Sequence, residues 1–146
     1  MCEKKYKIGY TTGVFDMFHI GHLNILKRAK EQCEYLIVGV STDSLVKEYK
    51  HKTPIVPFDE RIEIVKAISY VDRVVPQISM DKFEAWKELK FNALFHGDDW
   101  KGSSLYEKYE KIFSEVGVDL IFLPHTSGTS STLLSEKLSN IYIRSD

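Results

Sequence analysis

Two histidines stand three residues apart around a glycine in GVFDMFHIGH, residues 13–22, with Asp16 three positions before the first of them. The preceding YKIGYTTG, residues 6–13, reads as a strand, so the motif falls where a strand hands over to a helix. On a first helical turn His19 and His22 share one face, and Gly21 lets a ligand or another backbone come close. The free N–H groups and partial positive charge of a helix start form an anion site, to which two imidazoles add donors. Residue type and spacing leave three readings: a phosphate site, a metal site, or a turn with no chemistry. The metal reading is poor in ligands, because zinc takes three or four protein donors and no HExxH occurs. No side chain is assigned to a metal.

Three further stretches carry chemistry-bearing residues. KEYKHK, residues 47–52, brings Lys47, Lys50, His51 and Lys52 together, with Arg61 soon after. Lysine meets phosphate as a mobile point charge and arginine as a bidentate fork. The bland alternatives are a solvated basic loop and surface pairs of Arg61 with Glu60 and Glu63. HGDDW, residues 96–100, sets adjacent carboxylates at a strand end, suited to a cation or to base and ribose donors, or simply to an Asx turn. Its Trp100 either stacks on a ring or covers the core. HTSGTSST, residues 125–132, offers a run of hydroxyls that can cap a helix and cradle polyphosphate, or cap the helix with no ligand at all.

The elements that position these residues alternate along the chain. Strands are expected at 6–13, 35–41, 73–76, 93–97 and 118–124, and helices at 20–32, 58–69, 81–90, 104–117 and 130–143. Asp59 is the expected N-cap of the second helix, Pro76 the stop of the third strand, and 47–57 an irregular loop. YLIVGVS is apolar almost throughout, the pattern of a parallel strand covered on both faces. The expectation is one α/β domain over residues 1–146: a Rossmann-like, doubly wound parallel sheet of about five strands with helices on both faces. Ligands of such sheets bind beyond the carboxyl ends of the strands, where all four stretches fall.

Composition narrows the partners. A net charge of −1 on 146 residues gives no whole-chain attraction to nucleic acid or an acidic membrane, so any anion site is built locally. Two cysteines, Cys2 and Cys33, are too few for a disulfide framework. MCEKKYKIGY lacks the apolar core of a signal peptide, and no run approaches the ~20 apolar residues of a membrane span. A cytoplasmic location without membrane insertion is expected.

Together these residues resemble the cytidylyltransferase branch of the HxGH nucleotidyltransferase superfamily. Its signature, a strand followed by G-x-F-D-x-x-H-x-G-H, matches Gly13, Phe15, Asp16, His19, Gly21 and His22. YLIVGVSTD (35–43), a basic loop before Glu60 and Arg61, YVDRVVP (70–76), GDDW (97–100) and the RTEGIST-like HTSGTSS (125–131) follow in family order. The resemblance spans nearly the whole chain. It implies transfer of CMP from CTP to a small phosphorylated alcohol, glycerol 3-phosphate being the nearest acceptor. It also implies Mg²⁺ bound mainly through the nucleotide phosphates, and a homodimer.

By the same resemblance His19 and His22 contact the CTP phosphates and stabilise the reacting α-phosphoryl group. Lys50 and Lys52 hold the triphosphate and the acceptor phosphate, with Asp16 beside them, and Arg61 binds phosphate; Lys52 and Arg61 join the histidines as catalytic candidates. Gly13, Val14, Phe15 and Gly21 line the nucleotide, with Asp99, Trp100, His125, Thr126, Ser130 and Ser131 completing its site. Three departures bear on the acceptor and the dimer contact rather than on the HxGH step. His125 stands for an arginine and titrates near neutral pH, Ser127 and Thr129 stand for glutamate and isoleucine, and Ser69 stands for the arginine before YVD.

Rival readings remain. An adenylyltransferase using ATP shares the histidines and the Ser130-Ser131-Thr132 run. Phosphocholine, phosphoethanolamine or another polyol phosphate are alternative acceptors. HIGH also occurs in class I aminoacyl-tRNA synthetases, but this chain is short for one and has no KMSKS-like loop. A catalytically silent nucleotide-binding domain predicts loss of the histidines or the basic loop, and both are present.

Overall fold

The structure, a computed structural model, describes residues 4–97, 104–124, 133–134 and 136–139. Five strands, β1 (Tyr6–Gly13), β2 (Cys33–Ser41), β3 (Arg73–Gln77), β4 (Ala93–Gly97) and β5 (Asp119–Leu123), form one sheet in the order β3-β2-β1-β4-β5. All four pairings are parallel. The helices are α1 (Ile20–Gln32), α2 (Asp43–Lys50), α3 (Phe58–Lys66), α4 (Lys82–Leu89) and α5 (Ser104–Ser114). This is the expected Rossmann-like architecture. The strand order reverses between β1 and β4, and the crevice beyond their carboxyl ends, at Gly13 and Gly97, is where this topology places a ligand.

The sheet is covered on both sides. Leu26 and Ala29 of α1 and Val65 of α3 pack with Leu36, Val38 and Val40 of β2 on one face. On the other, Tyr10, Ile37 and Leu94 meet Phe113 of α5 and Phe83 and Trp86 of α4. Successive β2 residues thus enter opposite cores, which is why its sequence shows an apolar run and no alternation.

Several boundaries differ from expectation for identifiable reasons. Residues 43–50, read from sequence as strand exit and basic loop, form α2. The Thr42 hydroxyl accepts from Leu45 N–H, Leu45 and Val46 are buried, and His51 in the left-handed region ends the helix. Pro76 does not stop β3; it pairs with Val40 and the strand continues to Gln77. On this edge strand the missing proline N–H interrupts no ladder. The N-cap of α3 is Pro57 rather than Asp59, and Asp59 lies in the first turn, where its charge suits the helix dipole. Of the last expected helix, residues 133–134 and 136–139 are helical.

Candidate active site

The histidine turn is built as a helix cap. His19 is the N-cap of α1, with extended backbone (φ −141°, ψ −179°). Its Nδ1 accepts from the N–H of Gly21 at 3.0 Å, and Nδ1 of His22 accepts from the N–H of His19 at 3.2 Å. This is the reciprocal geometry of a capping box, made with imidazoles in place of a hydroxyl and a carboxylate. An Nδ1 that accepts carries no hydrogen, so each neutral ring has its proton on Nε2. Nε2 of His19 is buried and finds no hydrogen-bond partner among the described residues. The rings stack with centroids 3.8 Å apart, and Phe15 and Phe18 each lie 5.3 Å from the His22 ring. Burial lowers the pKa of both. That of His22 falls to about 3, the adjacent His19 adding to the drop and Asp16 opposing it. The pair is therefore neutral at physiological pH and supplies donors.

The loop that delivers the pair is strained. Phe15 (φ 55°) and Met17 (φ 49°) both sit in the left-handed region without being glycine, at a cost on the order of 1–3 kcal/mol each. Phe15 is buried, and Gly13 leaves room for its ring: a Cβ there would lie 3.0 Å from it.

Beside this turn lies a cavity of about 260 Å³. Thr12, Gly13, Val14, Phe15, Asp16 and His22 line it, together with Lys50, Lys52 and Pro54 and with Gly97 of β4. Lys50 ends α2 and Lys52 follows it; both are exposed and line the same cavity as His22. Gly21 is buried within α1 and donates to His19 rather than lining the cavity.

Two expected phosphate-site residues have other duties. Arg61 is 1% exposed and is not among the residues that line the cavity. Nε donates to Val56 O (2.8 Å), Nη1 to Val14 O and Ser41 O (2.7 Å each), and Nη2 to Asp43 Oδ1 (2.6 Å). The fork matches a set of carbonyls as well as it would match a phosphate, so Arg61 frames the site and does not line it. Asp16 does line the cavity, but its two oxygens accept from the N–H groups of Ile55 (2.8 Å) and Val56 (2.9 Å). An anionic carboxylate fits a clamp on loop N–H groups better than a contact to an acceptor phosphate.

Another cluster was not legible from sequence. Lys82, at the first position of α4 after its Asp81 N-cap, is 3% exposed. Its Nζ lies 3.0 Å from Thr12 Oγ1 and 3.1 Å from Nε2 of His96 on β4. Burial lowers the Lys82 pKa to about 7 and that of His96 to about 3. A lysine opening a helix reads as a surface residue, and only the fold turns this one inward.

A model of the family described as cytidylyltransferase-like matches residues 10–137. The chain belongs to the cytidylyltransferase-like family and is a nucleotidyltransferase. A glycerol-3-phosphate cytidylyltransferase of Bacillus subtilis is 32% identical over 138 residues, covering 90% of this chain and 96% of the relative. An FAD synthase of Pyrococcus abyssi is 40% identical over 119 residues, 77% of each chain. Among solved structures, a lipopolysaccharide core biosynthesis protein from Thermoplasma volcanium superposes with a TM-score of 0.70 at 24% identity, covering 85% of this chain and 99% of that one, a likeness of fold.

Within this cytidylyltransferase-like frame the structure brings together His19, His22, Gly13, Val14, Phe15, Asp16, Lys50 and Lys52. Asp99, Trp100, His125, Thr126, Ser130 and Ser131 lie outside the described residues. Ser69 is exposed just after α3. Among the described residues no helix is long and apolar enough to cross a membrane.

Proposed function

We propose that this nucleotidyltransferase moves CMP from CTP to a small phosphomonoester, glycerol 3-phosphate being the acceptor that the Bacillus subtilis relative suggests. An acceptor phosphate oxygen attacks the α-phosphorus in line. The new P–O bond forms as the bond to the β-phosphate's bridging oxygen breaks, and pyrophosphate leaves with that electron pair. The acceptor is an anion at neutral pH, its second pKa lying near 6, so no general base is required. What the step needs is relief of anion–anion repulsion and donors aimed at charge developing on the α-phosphoryl oxygens.

The observation that carries this reading is the imidazole capping box. Both Nδ1 atoms are tied to α1, which leaves each neutral ring an Nε2–H donor at a helix start; that of His19 is buried without a partner among the described residues, and His22 lines the cavity. Lys50 and Lys52 supply positive charge to the same cavity. These donors suit an anion. No group of three or more His, Cys, Asp or Glu able to hold an ion occurs among the described residues. Mg²⁺ in this reading travels on the nucleotide phosphates and neutralises part of their charge.

A second reading keeps the step and changes the substrates: ATP as donor and FMN as the phosphomonoester. The 40% identity to the Pyrococcus abyssi FAD synthase favours it. Turnover with Mg²⁺ and either CTP or ATP, against glycerol 3-phosphate, phosphocholine, phosphoethanolamine and FMN, separates the two by pyrophosphate release and product mass. We expect CTP with glycerol 3-phosphate to react fastest. ATP with FMN as the best pair would select the second reading, and no pyrophosphate from any pair would overturn both. A homodimer belongs to the same proposal; light scattering at the mass of one chain would remove it.

A further inference from the structure

The segment that follows Lys52 is fastened to the turn before His19 by a closed ring of hydrogen bonds around Val56. Its N–H donates to Asp16 Oδ1 and its carbonyl accepts from Arg61 Nε, at 2.9 and 2.8 Å. Arg61 reaches back through Nη1 to the carbonyl of Val14, two residues before Asp16. The ring thus runs from Val14 to Arg61, Val56, Asp16 and back along the strained turn through Phe15. Ile55 N–H adds a second bond to Asp16, and Pro54 is buried beneath the segment. Arg61 also holds Ser41 O at the end of β2 and Asp43 in the first turn of α2, and the other oxygen of Asp43 accepts from Phe58 N–H at the start of α3. One buried guanidinium and one carboxylate therefore hold the later part of the 51–57 segment at Ile55 and Val56, and the same guanidinium fixes the end of β2 and the first turn of α2.

Resting on the nucleotidyl-transfer reading, we propose that Asp16 and Arg61 are positioning residues that lock the 52–57 segment to the histidine turn and so set where Lys52 meets the ligand's phosphates. Lys52 is itself exposed and on a long flexible stem, so its backbone anchor decides how much of its reach is directed. A lysine freed from that anchor still carries its charge, but delivers it over a wider volume. Displacements of about 1 Å in such groups are enough to cost up to ~10²-fold in rate.

Amide hydrogen exchange together with steady-state kinetics tests this on the full chain carrying Asp16→Ala, Asp16→Asn or Arg61→Lys. In Asp16→Ala the amides of Ile55 and Val56 should exchange at least about tenfold faster, while those of β2 stay protected. KM for the nucleotide should rise about tenfold, with a smaller fall in kcat, and Asp16→Asn, which keeps one acceptor oxygen, should recover part of both. Arg61→Lys retains the charge but not the fork, and should loosen the same two amides. Unchanged exchange at Ile55 and Val56 in Asp16→Ala would overturn the proposal, as would faster exchange with unaltered KM and kcat. Should the wild-type chain turn over no nucleotide at all, the transfer reading fails separately; titration with CTP and with ATP then replaces the kinetics, and a Kd that Asp16→Ala leaves unchanged would overturn the clamp.

Discussion

The histidine turn and the Arg61 network stand side by side at the carboxyl end of one sheet, and both are dense in nitrogen donors. They differ in what is left over. In the turn, each imidazole uses Nδ1 to cap α1 and leaves Nε2 outside the cap, that of His19 without a partner among the described residues. In the network, a permanent cation directs its donors to the carbonyls of Val14, Ser41 and Val56 and to Asp43. Charge alone would rank Arg61 above two neutral rings as a phosphate ligand. Hydrogen-bonding capacity left open ranks them the other way, and that separates the reacting surface from its frame.

The largest expected effect on rate is that of His22→Ala. Loss of one preorganised donor typically costs about 10²–10³ in kcat, and we expect a fall of that size with a much smaller change in nucleotide Kd, read by single-turnover kinetics and calorimetry. An unchanged kcat would move His22 into the frame. Arg61→Ala should act mainly on the fold. It leaves the carbonyls of Val14, Ser41 and Val56 without a shared donor, and removal of such a buried hub costs on the order of 3 kcal/mol. Urea melts at neutral pH read this directly, and wild-type stability with lost turnover would instead make Arg61 a ligand of the substrate.

Acid sharpens the contrast further. The folded-state pKa of His22 is lowered to about 3 by burial and by His19, whereas in the unfolded chain it is near 6.5. The unfolded state therefore binds the extra proton between those values, and stability falls as pH drops from about 6.5 toward 3. The slope from this group is up to about 1.4 kcal/mol per pH unit. His96, also lowered to about 3, adds a similar slope. In His22→Gln, which keeps a capping acceptor at the same position, the acid slope should shrink by one group's share. An identical slope in the variant would place the His22 proton elsewhere.

How much of this was legible in the residues depends on what each side chain meets. The alternation of strands and helices could be read because β2 carries an uninterrupted apolar run and α1 a helical period. The histidine motif could be read because its spacing suits a helix start, although His19 proves to be the extended N-cap of α1 and His22 the third helical residue. The helix α2 could not: charged Asp43, Lys47, Glu48 and Lys50 mask a buried face of only Leu45 and Val46. Pro76 reads as a stop until the strand is known to be an edge. Arg61 and Lys82 are residue types that ordinarily lie at the surface, and here they are 1% and 3% exposed because β1, β2 and β4 end around them. Sequence supplies the kinds of groups, while the fold decides which of their hydrogen bonds are already used.

Nitrogen-15 NMR of the imidazole side chains observes the proton positions on His19 and His22 directly. In the free protein both rings should carry hydrogen on Nε2 with an unprotonated Nδ1, and His22 should not titrate between about pH 8 and 5. A hydrogen on Nδ1 of either ring, or a His22 titration centred near 6.5, would contradict these proton positions.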